Sequence, residues 1–264
     1  MGKIAVVILC HGDDQVENLE PLPADTFTGA DLVVVALSSG RMPSLQFRCL
    51  VFRPTHGVTG FNAGANRDEG LGRVLAIYPD ASVVFLDGDC RPSPDWLRHH
   101  ADLLTSSMPM VTCGTRRERC RPDARLEDVS WDGRIWLPTF RPGFDAWVQA
   151  RCDVDGHRTT WSCSLGVNRP ALLRLRTAGR WLWRSPRIFP PFFDGRWGGE
   201  DTALGVVAWE AGCSIAMLDP LRSHVDHEPH RSRAAKENLD LVPEFTRSVR
   251  SCAFWSTFEG QEAP

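Results

Sequence analysis

The sequence predicts an α/β fold, an open and mostly parallel sheet flanked by helices, on three observations. Ile4–Cys10 and Leu32–Leu37 are unbroken apolar, largely β-branched runs, the composition of strands buried on both faces. Strand-like runs alternate with helix-like ones, which is the order of parallel crossovers. Polar residues able to do chemistry follow several of these runs immediately, as His11, Ser38 and Asp87 do, and ligands of open parallel sheets gather at such carboxyl ends.

Taken in order, Ile4–Cys10 opens the sheet, Leu32–Leu37 repeats its pattern, and Gln46–Phe52 reads as a third, more alternating strand. From Gly64 to Ile77 the apolar positions Leu71, Val74, Leu75 and Ile77 suit a helix packed on that sheet. Ser82–Leu86 is a fourth strand, stopped by Asp87-Gly88-Asp89. A helix is expected over Asp95–Leu104 after two prolines, then a short strand over Met110–Gly114. Residues 116–160, rich in Arg, Asp, Gly, Pro and Trp, show no sustained period and are expected to form an irregular insertion on the acceptor side. Regular structure should resume with a strand over Ser162–Val167 and a helix over Pro170–Leu175. A second helix over Glu200–Ala211 and a last strand over Ser214–Leu218 should follow.

The chain of 264 residues is expected to be one domain, divided into residues 1–114, residues 115–230 and a tail over 231–264. A net charge of -3 gives no general reason to bind nucleic acid or an anionic surface. Nine cysteines without a CxxC pair read as reduced, structural thiols. No apolar run is long enough to span a bilayer, so a cytoplasmic protein is expected, with any membrane contact peripheral.

Asp87-Gly88-Asp89 sets two carboxylates two residues apart where a strand breaks, a hard-oxygen pair suited to Mg²⁺ or Mn²⁺ carrying phosphate oxygens; the glycine would let a ligand approach the backbone. Asp153-Val154-Asp155 has the same spacing but follows no apolar strand, and reads as an exposed acidic turn. Phe193–Asp201 is a glycine-rich turn delivering Glu200 and Asp201 to a helix start. There Trp197 would pack on a sugar ring beside Gly198 and Gly199, and Asp201 would take a proton from an acceptor hydroxyl. Helix capping by Asp201 is the structural alternative. In His224-Val-Asp-His227-Glu-Pro-His230, an imidazole would complete the metal site, with His224 the first choice and His227 the second.

Together these segments resemble the GT-A fold of glycosyltransferases, of the broad family 2 type. Thr59–Arg67 resembles that family's loop after its third strand, Asp87–Asp89 its DxD motif, and Trp197–Asp201 its ED motif in the tryptophan-glycine form shared with galactosyl- and N-acetylgalactosaminyltransferases. The resemblance implies a transferase taking a sugar from a nucleotide diphosphate, with a UDP-sugar favoured, to a glycan, lipid-linked or small-molecule acceptor. It assigns Asp87 and Asp89 to donor and metal, Asp201 as the base of an inverting transfer, and Glu200 to substrate hydroxyls. His11, Ser38, Asn66, Arg67 and Gly88 would complete the donor site. The acidic residue usual after the second strand is replaced by Leu37-Ser38-Ser39-Gly40, which changes how a base would be recognised. A retaining transferase, a nucleotidyltransferase and a non-catalytic sugar-nucleotide binder are the competing readings. The second of these would require a glycine-rich basic loop where His11-Gly-Asp-Asp14 stands.

Overall fold

A computed structural model describes residues 2–55, 62–118, 128–132, 135–139, 163–195, 198–218, 223–227 and 241–255. The main sheet holds nine strands: β1 (Ile4–His11), β2 (Leu32–Ser39), β3 (Leu50–Phe52), β4 (Ser82–Asp87), β6 (Met110–Cys113), β8 (Asp128–Asp132), β9 (Ile135–Thr139), β10 (Ser164–Val167) and β11 (Ser214–Met217). Their spatial order is β3-β2-β1-β4-β10-β6-β11-β9-β8. β3, β2, β1 and β4 run parallel, while β10 is antiparallel to both β4 and β6. β10 therefore inserts between strands of the first 114 residues, and both halves of the chain share one sheet.

The continuous apolar runs are explained by two cores. Ala5, Val7, Val83 and Phe85 face one side, against Leu71 and Val74 of α2 (Ala63–Ile77), Leu172 and Leu175 of α4 (Arg169–Trp183), Leu204 and Val207 of α5 (Glu200–Glu210), and Phe245 of α6 (Val242–Arg250). Ile4, Val6, Ile8, Val84 and Leu86 face the other, against Val16 and Leu19 of α1 (Asp13–Leu19) and Trp96 and Leu97 of α3 (Trp96–Leu104). Alternate side chains of one strand thus serve opposite cores, each large one contributing on the order of 2 kcal/mol by burial.

Several elements differ from expectation. α1 occupies what reads as a loop, because seven residues give too few apolar positions to show a period. Backbone strands β8 and β9 pair antiparallel within the segment expected to be irregular, and β9 lies beside β11. α4 continues eight residues past Leu175. Its start is fixed by Asn168, whose Oδ1 accepts from the Ala171 and Met110 N–H groups while Nδ2 donates to the Ser106 and Met108 carbonyls.

A second sheet of short strands, β5 (Cys90–Pro92), β12 (His224–His227) and β7 (Thr115–Glu118), has the order β5-β12-β7. Antiparallel pairing sets His227 opposite Cys90 and Val225 opposite Pro92. This small sheet decides which histidine reaches the acidic turn.

Candidate active site

The site forms at the carboxyl ends of β1, β2 and β4, where α2 and α5 also begin. β4 carries Asp87 to its last residue, and Asp89 follows two residues later, nearly buried. A Cβ at Gly88 between them would lie 3.1 Å from the Leu9 carbonyl oxygen and 3.2 Å from Gln15 Oε1, and the Gly88 N–H donates to Leu9 O at 2.7 Å. A side chain there would press on the end of β1, against which the turn packs.

Arg67, in the second turn of α2, is 3% exposed and joins the two acidic segments. Nη2 donates to Asp87 Oδ1 at 2.5 Å, and Nη1 donates to Glu200 Oε1 at 2.7 Å. Its guanidinium also lies 5.7 Å from the Phe189 ring centre. Burial works against the charge, but Asp87 and Glu200 outweigh it and raise the Arg67 pKa. Breaking such a buried pair is costly because it leaves an uncompensated charge.

Burial lifts Glu200 to about 7, with Asp201 adding to the rise and Arg67 opposing it. Asp87 is raised chiefly by burial, opposed by Arg67, while the charges of Asp89 and Asp201 both reach it. The acidic turn after β4 and the start of α5 therefore belong to one electrostatic unit. The cap position of α5 is Gly199, at φ 87, with no side-chain cap, so Asp201 sits inside the first turn rather than capping it. Positive φ there favours glycine. Asp201 Oδ1 accepts from the Thr202 N–H at 2.7 Å.

His227, not His224, is brought to the acidic turn. His227 Nε2 stands 3.7 Å from Asp89 Oδ2, and both side chains are nearly buried. His224 is three residues earlier on the opposite face of β12, its ring 3.8 Å from Asp226. Among the described residues no three His, Cys, Asp or Glu side chains form a ready-made metal cluster. Asp89 and His227 nevertheless fit a divalent ion whose remaining positions come from Asp87, water or ligand oxygens, since two donors 3.7 Å apart can both reach one ion at about 2.1–2.2 Å.

At the ends of β1 and β2, His11 Nδ1 lies 2.9 Å from Ser38 Oγ and 3.2 Å from Ser39 Oγ, so these residues meet. Asn66 is buried, with Oδ1 lacking a hydrogen-bond partner among the described residues. Gln15 has no counterpart in the sequence reading. Its Oε1 accepts from the His11 N–H at 2.6 Å and its Nε2 donates to Asp89 Oδ2 at 3.1 Å, tying the β1 end to the acidic turn. Asn18 adds a second tie, donating to Gly88 O at 2.8 Å. Both lie on α1, so recognising that helix is the signal that would have found them. Asp68, beside Arg67, accepts from the Ile188 and Phe189 N–H groups and from Arg187, anchoring the segment before the glycine-rich turn. Gly198 and Gly199 lead into α5 with positive φ. Trp197, Thr59, Asp153, Asp155 and His230 lie outside the described residues.

No family model matches the sequence, and no curated protein matches it. Solved structures do. The S. aureus TarS 1-349 structure in complex with UDP-GlcNAc superposes with a TM-score of 0.56 at 15% identity, over 94% of this chain and 65% of that one. The fold is GT-A. GalNAc-T7 with UDP, GalNAc and Mn²⁺ gives a TM-score of 0.53 at 13% identity, over 100% of this chain and 57% of that one. The chain therefore spans less than two thirds of either neighbour. Within the GT-A fold, Arg67 closes the distance between the β4 turn and α5, and no helix of the described residues is long and apolar enough to cross a membrane.

Proposed function

We propose that the protein is a metal-dependent glycosyltransferase that moves a sugar from a nucleoside diphosphate, with a UDP-sugar favoured, to an acceptor hydroxyl. One observation carries the reading: Arg67 binds Asp87 and Glu200 at once, so an acidic turn suited to a diphosphate and a helix start bearing Asp201 share one cleft. The fold shared with TarS and GalNAc-T7, whose structures hold UDP-GlcNAc and UDP with Mn²⁺, supports the same choice of donor.

In this reading Asp89 and His227 hold a divalent cation, Mn²⁺ or Mg²⁺, with Asp87 beside them. Bound there, the cation would neutralise charge on the departing nucleoside diphosphate. Gln15 orients Asp89, and Arg67 orients Asp87 through its second carboxylate bond. His11, Ser38 and Ser39 offer imidazole and hydroxyl groups to the base or ribose, in place of the acidic residue usual in family 2. Asn66 brings a buried amide whose carbonyl is open to a donor.

Asp201 serves as general base, taking the acceptor proton as the glycosidic bond forms with inversion. Glu200, held by Arg67 through Oε1, fixes the first turn of α5 and so the height of Asp201, and would also meet substrate hydroxyls. Trp197, Gly198 and Gly199 would border the acceptor, with residues 1–114 handling the donor and 115–230 the acceptor. The protein is taken to work in the cytoplasm.

A panel of nucleotide sugars, with and without Mn²⁺, tests this by thermal shift and by transfer to model acceptors. Metal-dependent stabilisation by a UDP-sugar, with transfer to an acceptor or slow hydrolysis, is the expected result. Stabilisation without turnover on any acceptor would favour a non-catalytic binder, and an α-linked product from an α-linked donor would overturn inversion.

A further inference from the structure

An arginine face on α4 has no part in the site just described. Arg169, Arg176 and Arg180 recur at intervals of seven and four residues, which helical geometry stacks on one side, and Arg184 follows just past the helix end. Arg180 and Arg184 are exposed, and Arg184 forms the left-handed C-cap of the helix. Among the described residues no carboxylate pairs with Arg176, Arg180 or Arg184, and Arg169 only approaches the exposed Asp80 at 3.6 Å. Arg176 has its pKa lowered by burial and then by the charges of Arg180 and Arg169, which the more weakly acting charge of Asp68 only partly offsets.

Next to Arg180 in the chain, Trp181 is 64% exposed, one side stacked on Phe254 with centroids 5.1 Å apart. Phe192, also exposed, packs near Phe245 of α6, extending the aromatic surface. An exposed aromatic ring on the same helix end as arginines unpaired among the described residues offers what an interfacial helix uses: an apolar anchor at the headgroup boundary and guanidinium groups for phosphates. The overall charge of -3 conceals this local excess.

Topology gives the face a direction. β10 runs antiparallel to β4, so α4 returns toward the carboxyl ends of the parallel strands. Immediately beyond it Arg187, Ile188 and Phe189 bind Asp68, the neighbour of Arg67. Trp181 and Arg184 thus lie at the site's end of the sheet.

We propose that the Arg176–Arg184 stretch of α4, with Trp181 as its apolar anchor, docks the protein on an anionic lipid surface. The cleft then opens beside that surface, and attraction depends on local charge, so salt weakens it.

Co-sedimentation of the full chain with phosphatidylcholine vesicles, with and without about one third phosphatidylglycerol, tests the assignment. Binding to the anionic vesicles only, lost at high salt, is expected. Arg180→Gln with Arg184→Gln should weaken it about 25-fold, from about 1 kcal/mol per arginine near an anionic surface. Trp181→Ala should weaken binding independently and leave its salt dependence in place. Arg180 and Arg184 are exposed and make no ion pair among the described residues, so the double variant's thermal midpoint should stay at the parent value. Equal binding to neutral vesicles, no binding, or unchanged binding by both variants would overturn the proposal. Retention on heparin that the same arginine changes weaken, without vesicle binding, would assign the face to another polyanion and overturn it as well.

Discussion

Arg67 Nη1 lies 2.7 Å from Glu200 Oε1, a buried bond between residues 133 apart in the chain that ties α2 to the first turn of α5. Because the same guanidinium holds Asp87, one side chain sets the spacing between the acidic turn and Asp201.

Arg67→Met should therefore lower stability by about 3–5 kcal/mol, since the buried Glu200 and the partly buried Asp87 lose their cation. Urea denaturation measures it. Arg67→Met combined with Glu200→Gln should recover part of the loss, because one stranded charge is removed; strict additivity of the two changes would show that they do not interact.

Asp89→Asn and His227→Ala should each weaken Mn²⁺ binding, read as the Mn²⁺ concentration giving half the maximal thermal shift with UDP present. His224→Ala, on the opposite face of β12, should leave it within about twofold. The reverse ranking of the two histidines would remove His227 from the site.

Asp201→Asn should reduce kcat by about 10²–10⁴-fold with donor KM little changed, as loss of a general base implies. Its melting temperature should stay close to the parent, because Gly199 rather than Asp201 occupies the cap. A large fall in stability with intact kcat would give Asp201 a structural role only.

Asp68 supplies a pH test away from the metal. Burial raises it from 3.8 to about 7, against two backbone N–H groups and Arg187. Between those values the folded state retains a proton that the unfolded chain releases, so this contribution is full below about pH 4 and fades as pH rises through 7. Urea midpoints should fall across that window. Asp68→Asn should flatten the slope while leaving the part due to Glu200, which has the same sign; an unchanged slope would place the ionisation elsewhere.

The strands of the parallel sheet were legible because both faces of β1, β2 and β4 are buried, which demands unbroken apolar runs. The strand-terminal positions of His11, Ser38 and Asp87 came with them. α1 was not legible, nor were β5 and β12, since three residues carry no pattern and His-Val-Asp-His lacks the apolar run that marked the other four-residue strands. With α1 hidden, Gln15 and Asn18 were hidden too.

By itself the sequence determined the α/β class, the acidic turn after β4 and the acidic start of α5, because local burial and local turn chemistry write themselves into neighbouring residues. Tertiary structure alone decided that β10 enters antiparallel, that His227 rather than His224 meets Asp89, and that Arg67 joins Asp87 to Glu200. Those outcomes depend on strand register and on contacts across more than a hundred residues, which no local pattern encodes.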